Sequence, residues 1–422
     1  MRQYTPHTQP PLPVPLPLDA PSGGPTVRLI GVDLARGLAV FGMYAAHVGP
    51  DPSAGGPVGP LMELGHGRAS ALFAVLAGFS LILITGRRAT KTGEAGRRAV
   101  ARVVVRALIL LALGSALTAT GTPVEVILAY YAVYFLLALP LRKLSAGRLA
   151  LIAAGGALAL PQALYAMCSW INDGQWASTV ISYDPLARIR GTNGVVDLLF
   201  TGSYPVLTWM PYVIAGMAVA RIDLESARVR RWLAAGGAAL AVLGYGGSWL
   251  ALHLLPHARA VIAATGNGNG SASAAWWSDT VGNPDSPTAA WLVVGAPHSE
   301  TTFSIVGNTG VALVVLALSV TLTDRFPRAR WAARPVIAVG TMSLTAYVLN
   351  IAGIAALNIK NVPGSSLLVL LGFLSAISLF ATVWLRLFSR GPLEHLLHHA
   401  SSGTASLAVR GLRPAPRTAQ PG

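Results

Sequence analysis

The sequence predicts an all-α protein, a polytopic membrane helical bundle of about ten transmembrane helices. Three observations carry that reading. Of 422 residues, 53% are hydrophobic and only 11% charged, against about 25% charged in an ordinary soluble domain. The apolar residues gather in stretches of roughly 20, the length a helix needs to cross a ~30 Å hydrocarbon layer. The basic residues fall between those stretches and concentrate in alternate loops, as the positive-inside rule requires. A formal charge of +15 would ordinarily suggest nucleic acid. Here the bases punctuate apolar runs instead of clustering on polar helices, so no nucleic-acid partner is expected. The single cysteine, Cys168, excludes an internal disulfide, thiolate zinc sites and Cys-pair redox chemistry. Chemistry must use His, Asp, Glu, hydroxyls or amides.

In chain order, residues 1–28 include eight prolines and no continuous apolar stretch, which reads as a disordered Pro-rich cytoplasmic tail. Residues 29–400 form the membrane domain and 401–422 a second, basic disordered tail. Apolar segments lie at about 29–49, 69–86, 100–119, 124–141, 149–167, 203–222, 232–253, 303–322, 335–357 and 366–386. They lack the alternation of barrel strands, and lipid cannot satisfy an open sheet edge, so each is a helix. Of the 31 Lys and Arg, Arg36 falls inside a span, Arg68, Arg188, Arg190, Arg259 and Lys360 fall on one side, and the remaining 25 on the other. The chain is therefore expected to be a multi-pass protein of the cell membrane with both termini cytoplasmic. Its two longest loops, 168–202 and 254–302, lie outside, and loops of that size are usually lids or binding surfaces. Trp170, Trp176, Trp276, Trp277 and Trp291 gather in them, as an interfacial aromatic belt or as platforms for sugar rings.

The first span, RLIGVDLARGLAVFGMYAAHVGP, places Asp33 and Arg36 inside a membrane helix, where ionisable residues are functional candidates. Asp33 lies one turn from Arg36, and Arg36 and His47 share a stripe about 16 Å apart along the axis. Asp33 and Arg36 can also be read as a helix-start ion pair, with His47 an interface residue. Glu63, His66 and Arg68 precede the second span, on the same outer side as His47, and two imidazoles there suit general-base work. The loop 254–302 ends APHSETTF, bringing His298, Ser299 and Glu300 to the mouth of the eighth span. Glu300 either orients a histidine or caps that helix. In the ninth span Ser343, Tyr347 and Asn350 form an i, i+4, i+7 polar stripe, as interhelical glue or as the lining of a substrate path. Arg87, Arg88, Arg97 and Arg98 in the first cytoplasmic loop suit the phosphates of a nucleotide-type donor such as coenzyme A, though positive-inside bias places bases there too. No phosphate-binding or dinucleotide glycine motif, HExxH or GxSxG stands in a supporting context.

The pattern D-x-x-R-G-x-A-x-x-x-M-x-x-x-H from Asp33 to His47 resembles the signature of the transmembrane acyltransferase superfamily, which includes the acyltransferase-3 enzymes and the heparan-alpha-glucosaminide N-acetyltransferase family. PHSETTFSIVGNTGVAL, GTMSLTAY and the closing GPLEHLLHHAS are similar to the bacterial YeiB-like branch, domain of unknown function 418. The resemblance runs from about residue 28 to 400. It implies transfer of an acyl group, usually acetyl, from cytosolic acetyl-coenzyme A to a sugar hydroxyl or amine on the far side. By position, His47 falls on the essential histidine of the acyltransferase-3 motif, where the heparan enzymes carry Asn. His66 falls near the histidine those enzymes use ahead of their second helix, Arg36 on the motif arginine and Asp33 on its companion acid. The closing motif departs, with His395 and His398 where Trp and Arg are usual. The sites expected are therefore Asp33, Arg36, His47 and His66 for catalysis, Arg36 with the loop arginines for acyl-coenzyme A, and His298, Glu300, Tyr347 and Asn350 for the acceptor. No metal or permanently bound cofactor is expected. The partners are the bilayer, the acyl donor and an extracytoplasmic glycan, and a homodimer is compatible with the sequence. A secondary transporter or exporter of a small metabolite, coupled through Asp33, Arg36 and Glu300, is the alternative from a different class.

Overall fold

The computed structural model describes residues 29–54, 56–87, 89–173, 175–189, 192–283 and 288–410. The tail 1–28, the end 411–422, Arg88 and Arg190 lie outside the described residues. Helices follow one another as α1 Ile30–Val48, α2 Gly59–Gly65, α3 Arg68–Thr85, α4 Gly93–Ala119, α5 Leu128–Ala138, α6 Ala146–Asp173, α7 Gln175–Tyr183 and α8 Val206–Ala220. The second half adds α9 Ala227–Ala241, α10 Gly247–Leu254, α11 Pro256–Thr265, α12 Thr302–Arg325, α13 Pro327–Ala332, α14 Arg334–Thr341, α15 Ser343–Ala356, α16 Leu367–Leu387 and α17 Pro392–Arg410. No β-strand occurs among the described residues. α17 continues past residue 400, where the sequence reading begins the second tail.

All ten apolar segments are helical, but they are not ten equivalent spans. Six helical stretches are long and apolar enough to cross a membrane: Gly59–Thr85, Gly93–Ala119, Ala146–Met167, Ala227–Leu254, Thr302–Arg325 and Leu367–Leu387. The expected ninth span is two helices, α14 and α15, bent by 90°, which make a seventh crossing if counted together. The other three differ for a common reason. α1 carries Asp33, Arg36 and His47, α5 has 11 residues and α8 has 15, yet all three bury most of their side chains against other helices. A helix surrounded by protein is not held to the length and polarity that lipid demands. The outer helices do meet that demand, exposing Leu151, Val242, Leu368 and Leu387.

The centre of the bundle is α1, α3, α5 and α8, packed around Tyr134, Phe79, Leu76 and Met217. α3 and α8 touch backbone to backbone. A Cβ at Gly78 would stand 1.8 Å from the Val213 carbonyl oxygen, and one at Gly216 1.8 Å from that of Val75. Small residues give membrane helices this close approach, and a side chain at either position would push the helices apart. On one side, the basic end, Arg221 donates to the carbonyls of Gly86, Arg87 and Arg142, tying three inter-helix loops together. On the opposite side the loop after α10 folds over the bundle as a lid with its own small core of Leu252, Ile262, Val281, Trp291 and Val294. Arg68 fastens that lid: its guanidinium donates to the Trp277 carbonyl at 2.5 Å, the Glu63 carbonyl at 2.7 Å and the Tyr245 hydroxyl at 3.0 Å.

Candidate functional site

The lid delivers an aspartate to the end of α2. His66 Nδ1 lies 2.8 Å from Asp279 Oδ2, and the Asp279 backbone N–H donates to Glu63 Oε1 at 3.2 Å. The second Glu63 carboxyl oxygen is buried with no partner among the described residues. With Nδ1 as the donor to Asp279, the other ring nitrogen of His66 is free to accept a proton, the arrangement by which a carboxylate orients a histidine base. Burial alone would raise the Asp279 carboxyl, but the hydrogen bond from His66 and the His66 charge outweigh it and hold it below the usual carboxylate range. Glu63, His66 and Asp279 also bring one ligand atom each within 4.8 Å of one another, a spacing a divalent ion can bridge. In the structure two of those groups are spent on each other.

His298 stands edge-on to His66, ring centres 6.4 Å apart, and packs against Tyr204 at 5.4 Å and Trp209 at 6.0 Å. Both His298 and Glu300 have left-handed backbone, with φ of 56° and 57°, a conformation non-glycine residues adopt at a cost and one that clusters at functional sites. Burial pushes the His298 imidazole down to about 4; His66 and His47 add to this, and Asp279 and the Ser203 backbone oppose it. Its Nδ1 is buried without a partner among the described residues. His47 reaches the same region from α1, its Nδ1 2.7 Å from Asn350 Oδ1. His66, His298, Asp279 and Glu300 line a lid-side cavity of about 820 Å³ with Glu125, Tyr204 and Trp291.

Glu300 neither orients a histidine nor caps α12. Its carboxylate accepts from Thr208 Oγ1 at 2.9 Å and Trp209 Nε1 at 3.3 Å, joining the lid to α8, and burial raises it well above the usual range. The cap is Thr301, whose hydroxyl accepts from the Ser304 N–H at 3.1 Å.

Toward the basic end, Arg36 donates to Asp33 at 3.0 Å and to Ser80 Oγ at 2.8 Å. It lines a second cavity of about 330 Å³ together with Arg106, Tyr131, Tyr347 and Glu394. The Tyr131 hydroxyl is buried with no partner among the described residues. Glu394 accepts from the Leu344 and Thr345 N–H groups at 2.7 and 3.2 Å, capping α15 where the broken span restarts. Tyr347 separates the two cavities. Its hydroxyl accepts from the Ile127 N–H at 3.2 Å and donates to the Glu125 carbonyl at 3.5 Å; Ile127 faces one cavity and Glu125 the other.

Arg87, Arg97 and Arg98 do not join this cavity. Arg87 donates to the Ala220 and Ile222 carbonyls, both at 3.3 Å, Arg98 pairs with Glu94 one turn earlier, and Arg97 is exposed. The cation that accompanies Arg36 is Arg106, on the stripe it shares with Arg98 and Arg102 two turns and one turn before it. An arginine that deep in an apolar segment is itself a signal. Asp279 had a weaker one, as one of only three acids in 254–302.

Residues 28–257 match the family model for the catalytic domain of heparan-alpha-glucosaminide N-acetyltransferase, more than half of the chain. The chain belongs to that family. Residues 274–404 match a second model, a protein family of unknown function, DUF418, so the chain is a DUF418/YeiB-like member of the acyltransferase group. Neither a curated protein nor a solved structure matches it. The first model ends and the second begins within the lid, and the His66–Asp279 pair joins the two matched regions of this multi-pass acyltransferase-family protein.

The buried His298 predicts a pH-sensitive lid. It faces His66 at the end of α2, His47 on α1, Asp279 in the lid, and Tyr204 and Trp209 beside α8. A solvated imidazole takes a proton near pH 6.5 and the enclosed one near 4. Between those values His298 binds its proton only in the open lid, so its contribution to the closed form is lost as pH falls through that window, while Glu300, raised by burial, contributes with the opposite sign. Amide exchange across residues 266–301, corrected for intrinsic rate, should rise less, or fall further, between pH 7 and 4.5 in His298→Gln than in the unmodified protein. Equal slopes in both proteins would disprove it.

Proposed function

We propose that the protein moves an acyl group, acetyl by analogy with its family, from cytosolic acyl-coenzyme A to a hydroxyl or amine of an extracytoplasmic sugar or glycan. The observation that carries this reading is the His66–Asp279 pair opening on the lid-side cavity, with His298 and His47 beside it. His66, held by Asp279, takes the proton from the acceptor as it attacks the thioester carbonyl, then returns it to the departing coenzyme A thiolate. The acceptor gains the acyl group and the donor leaves as free thiol. His298 stays neutral, and with Tyr204 it provides polar groups at the reacting carbonyl.

The donor enters from the basic end, which the positive-inside pattern of the loops supports as the cytosolic face, with both termini on it. Arg36 and Arg106 hold its anionic part and its arm lies in the 330 Å³ cavity, with the unpartnered Tyr131 hydroxyl as a hydrogen-bond donor to it. The axial distance from Arg36 to His47 is about 16 Å, within reach of an extended pantetheine arm. The thioester passes the Tyr347 barrier when that side chain leaves Ile127 and Glu125.

In sealed vesicles of known orientation, labelled acetyl-coenzyme A supplied only at the cytoplasmic face should acetylate cell-envelope glycan enclosed with the opposite face. Transfer only when both are on one side would make this a one-sided enzyme. No transfer in any arrangement, with uptake of a solute instead, would favour the transporter reading.

A further inference from the structure

The lid-side cavity continues into a second one of about 700 Å³. Glu125, Thr201, Gly202 and Ser203 line both, so the two meet along the segment before α8 and form one trough. Together they exceed the ~300–1,000 Å³ of an ordinary small-molecule pocket, room for more than a single sugar ring. Gly202 is the saddle between them. A Cβ there would stand 2.0 Å from the Tyr130 hydroxyl, so any side chain would displace that ring where the two cavities meet.

The charge of the trough is the reverse of the chain's. In a protein of net charge +15, no Lys or Arg among the described residues lines either cavity, whereas Glu125, Asp197 and Asp279 do. Asp197 is held by neutral donors only: the Asn193 N–H at 2.6 Å, Asn193 Nδ2 at 3.1 Å and Thr201 Oγ1 at 2.7 Å. The nearby Arg68 spends its guanidinium on the Glu63 and Trp277 carbonyls and the Tyr245 hydroxyl. A polyanion would enter an acidic channel whose described residues offer it no Lys or Arg, and lose its hydration with little in return. A polyhydroxylated or amine-bearing chain meets acceptors and hydroxyls throughout. Tyr130, 7% exposed, adds a hydroxyl and an aromatic edge to the wall of the trough.

We propose that the acceptor site takes an uncharged or amine-bearing oligosaccharide longer than one ring, laid along this trough with its reacting end at His66, and that it rejects uronate or sulfated chains. This rests on the acyltransferase reading for what happens at the inner end, but its test is direct binding. Full-length protein in nanodiscs would be titrated by fluorescence polarisation with labelled tetrasaccharides of three kinds: a neutral glucan, a glucosamine oligomer and a uronic-acid oligomer. The neutral and amino probes should bind at least about tenfold more tightly than the uronate, and added salt should weaken the amino probe alone. Gly202→Leu should weaken tetrasaccharides about tenfold and leave the matching monosaccharide unchanged; Glu125→Gln with Asp197→Asn should erase the preference for the amino over the neutral probe. Uronate binding as tight as the others, or binding of none of the three, overturns the proposal. Acetyl transfer to a uronate acceptor would overturn it while upholding the acyltransferase reading, and selective binding without transfer would do the opposite.

Discussion

Replacing His66 with alanine should lower acyl transfer by about 10²–10⁴-fold, the range lost when a positioned general base is removed, with the protein still folded. Asp279→Asn should cost about 10²-fold or more, because an amide no longer selects the tautomer that leaves the outer ring nitrogen free. The pair acts as a unit, so the double variant should be little slower than His66→Ala alone. Initial rates with labelled acetyl-coenzyme A give all three numbers, and melting temperature in detergent separates lost chemistry from lost structure. Full activity in His47→Ala/His66→Ala would remove both imidazoles from the mechanism.

The donor side should respond to a different set of arginines from those the first cytoplasmic loop offers. Arg106→Ala and Arg36→Lys should each raise the donor KM by about 10–100-fold, since charge-assisted contacts to an anion are worth roughly 1.5–3 kcal/mol and Lys lacks the planar fork of Arg. Lysine is the informative change at Arg36, because it keeps the positive charge that pairs with buried Asp33 at 3.0 Å while removing the planar fork. Arg87→Ala and Arg98→Ala should leave that KM where it is, Arg87 being bound to the Ala220 and Ile222 carbonyls and Arg98 to Glu94. Steady-state kinetics over a donor series at two salt concentrations decides between the two sets. An unchanged KM in Arg106→Ala together with a raised one in Arg87→Ala would return the donor site to the loop.

The relations legible in the sequence are those set by composition or by spacing along one helix. Apolar runs of membrane length, and charges gathered in the intervening loops, predict a helical membrane bundle because lipid leaves backbone groups no other partner. The Asp33–Arg36 pair follows from three residues of separation, and the shared stripe of Arg36 and His47 from eleven. The count of crossings was less legible. α1, α5 and α8 look like lipid-spanning segments in apolar content, yet they lie inside the bundle, and the ninth segment breaks at Met342, where Glu394 caps the restarted helix.

Tertiary structure alone decided the site. His66 and Asp279 are 213 residues apart, Glu300 meets Thr208 and Trp209 across about ninety, and Arg106 reaches the Arg36 cavity from another helix. A hydrogen bond acts over about 3 Å and an ion pair over little more, so these partnerships depend on where packing brings two backbones. Periodicity within a segment carries no record of that. The lid is the plainest case: its Gly/Asn/Ser composition gives no local pattern, and only its small core around Trp291 and Val294, fastened by Arg68, sets Asp279 against His66.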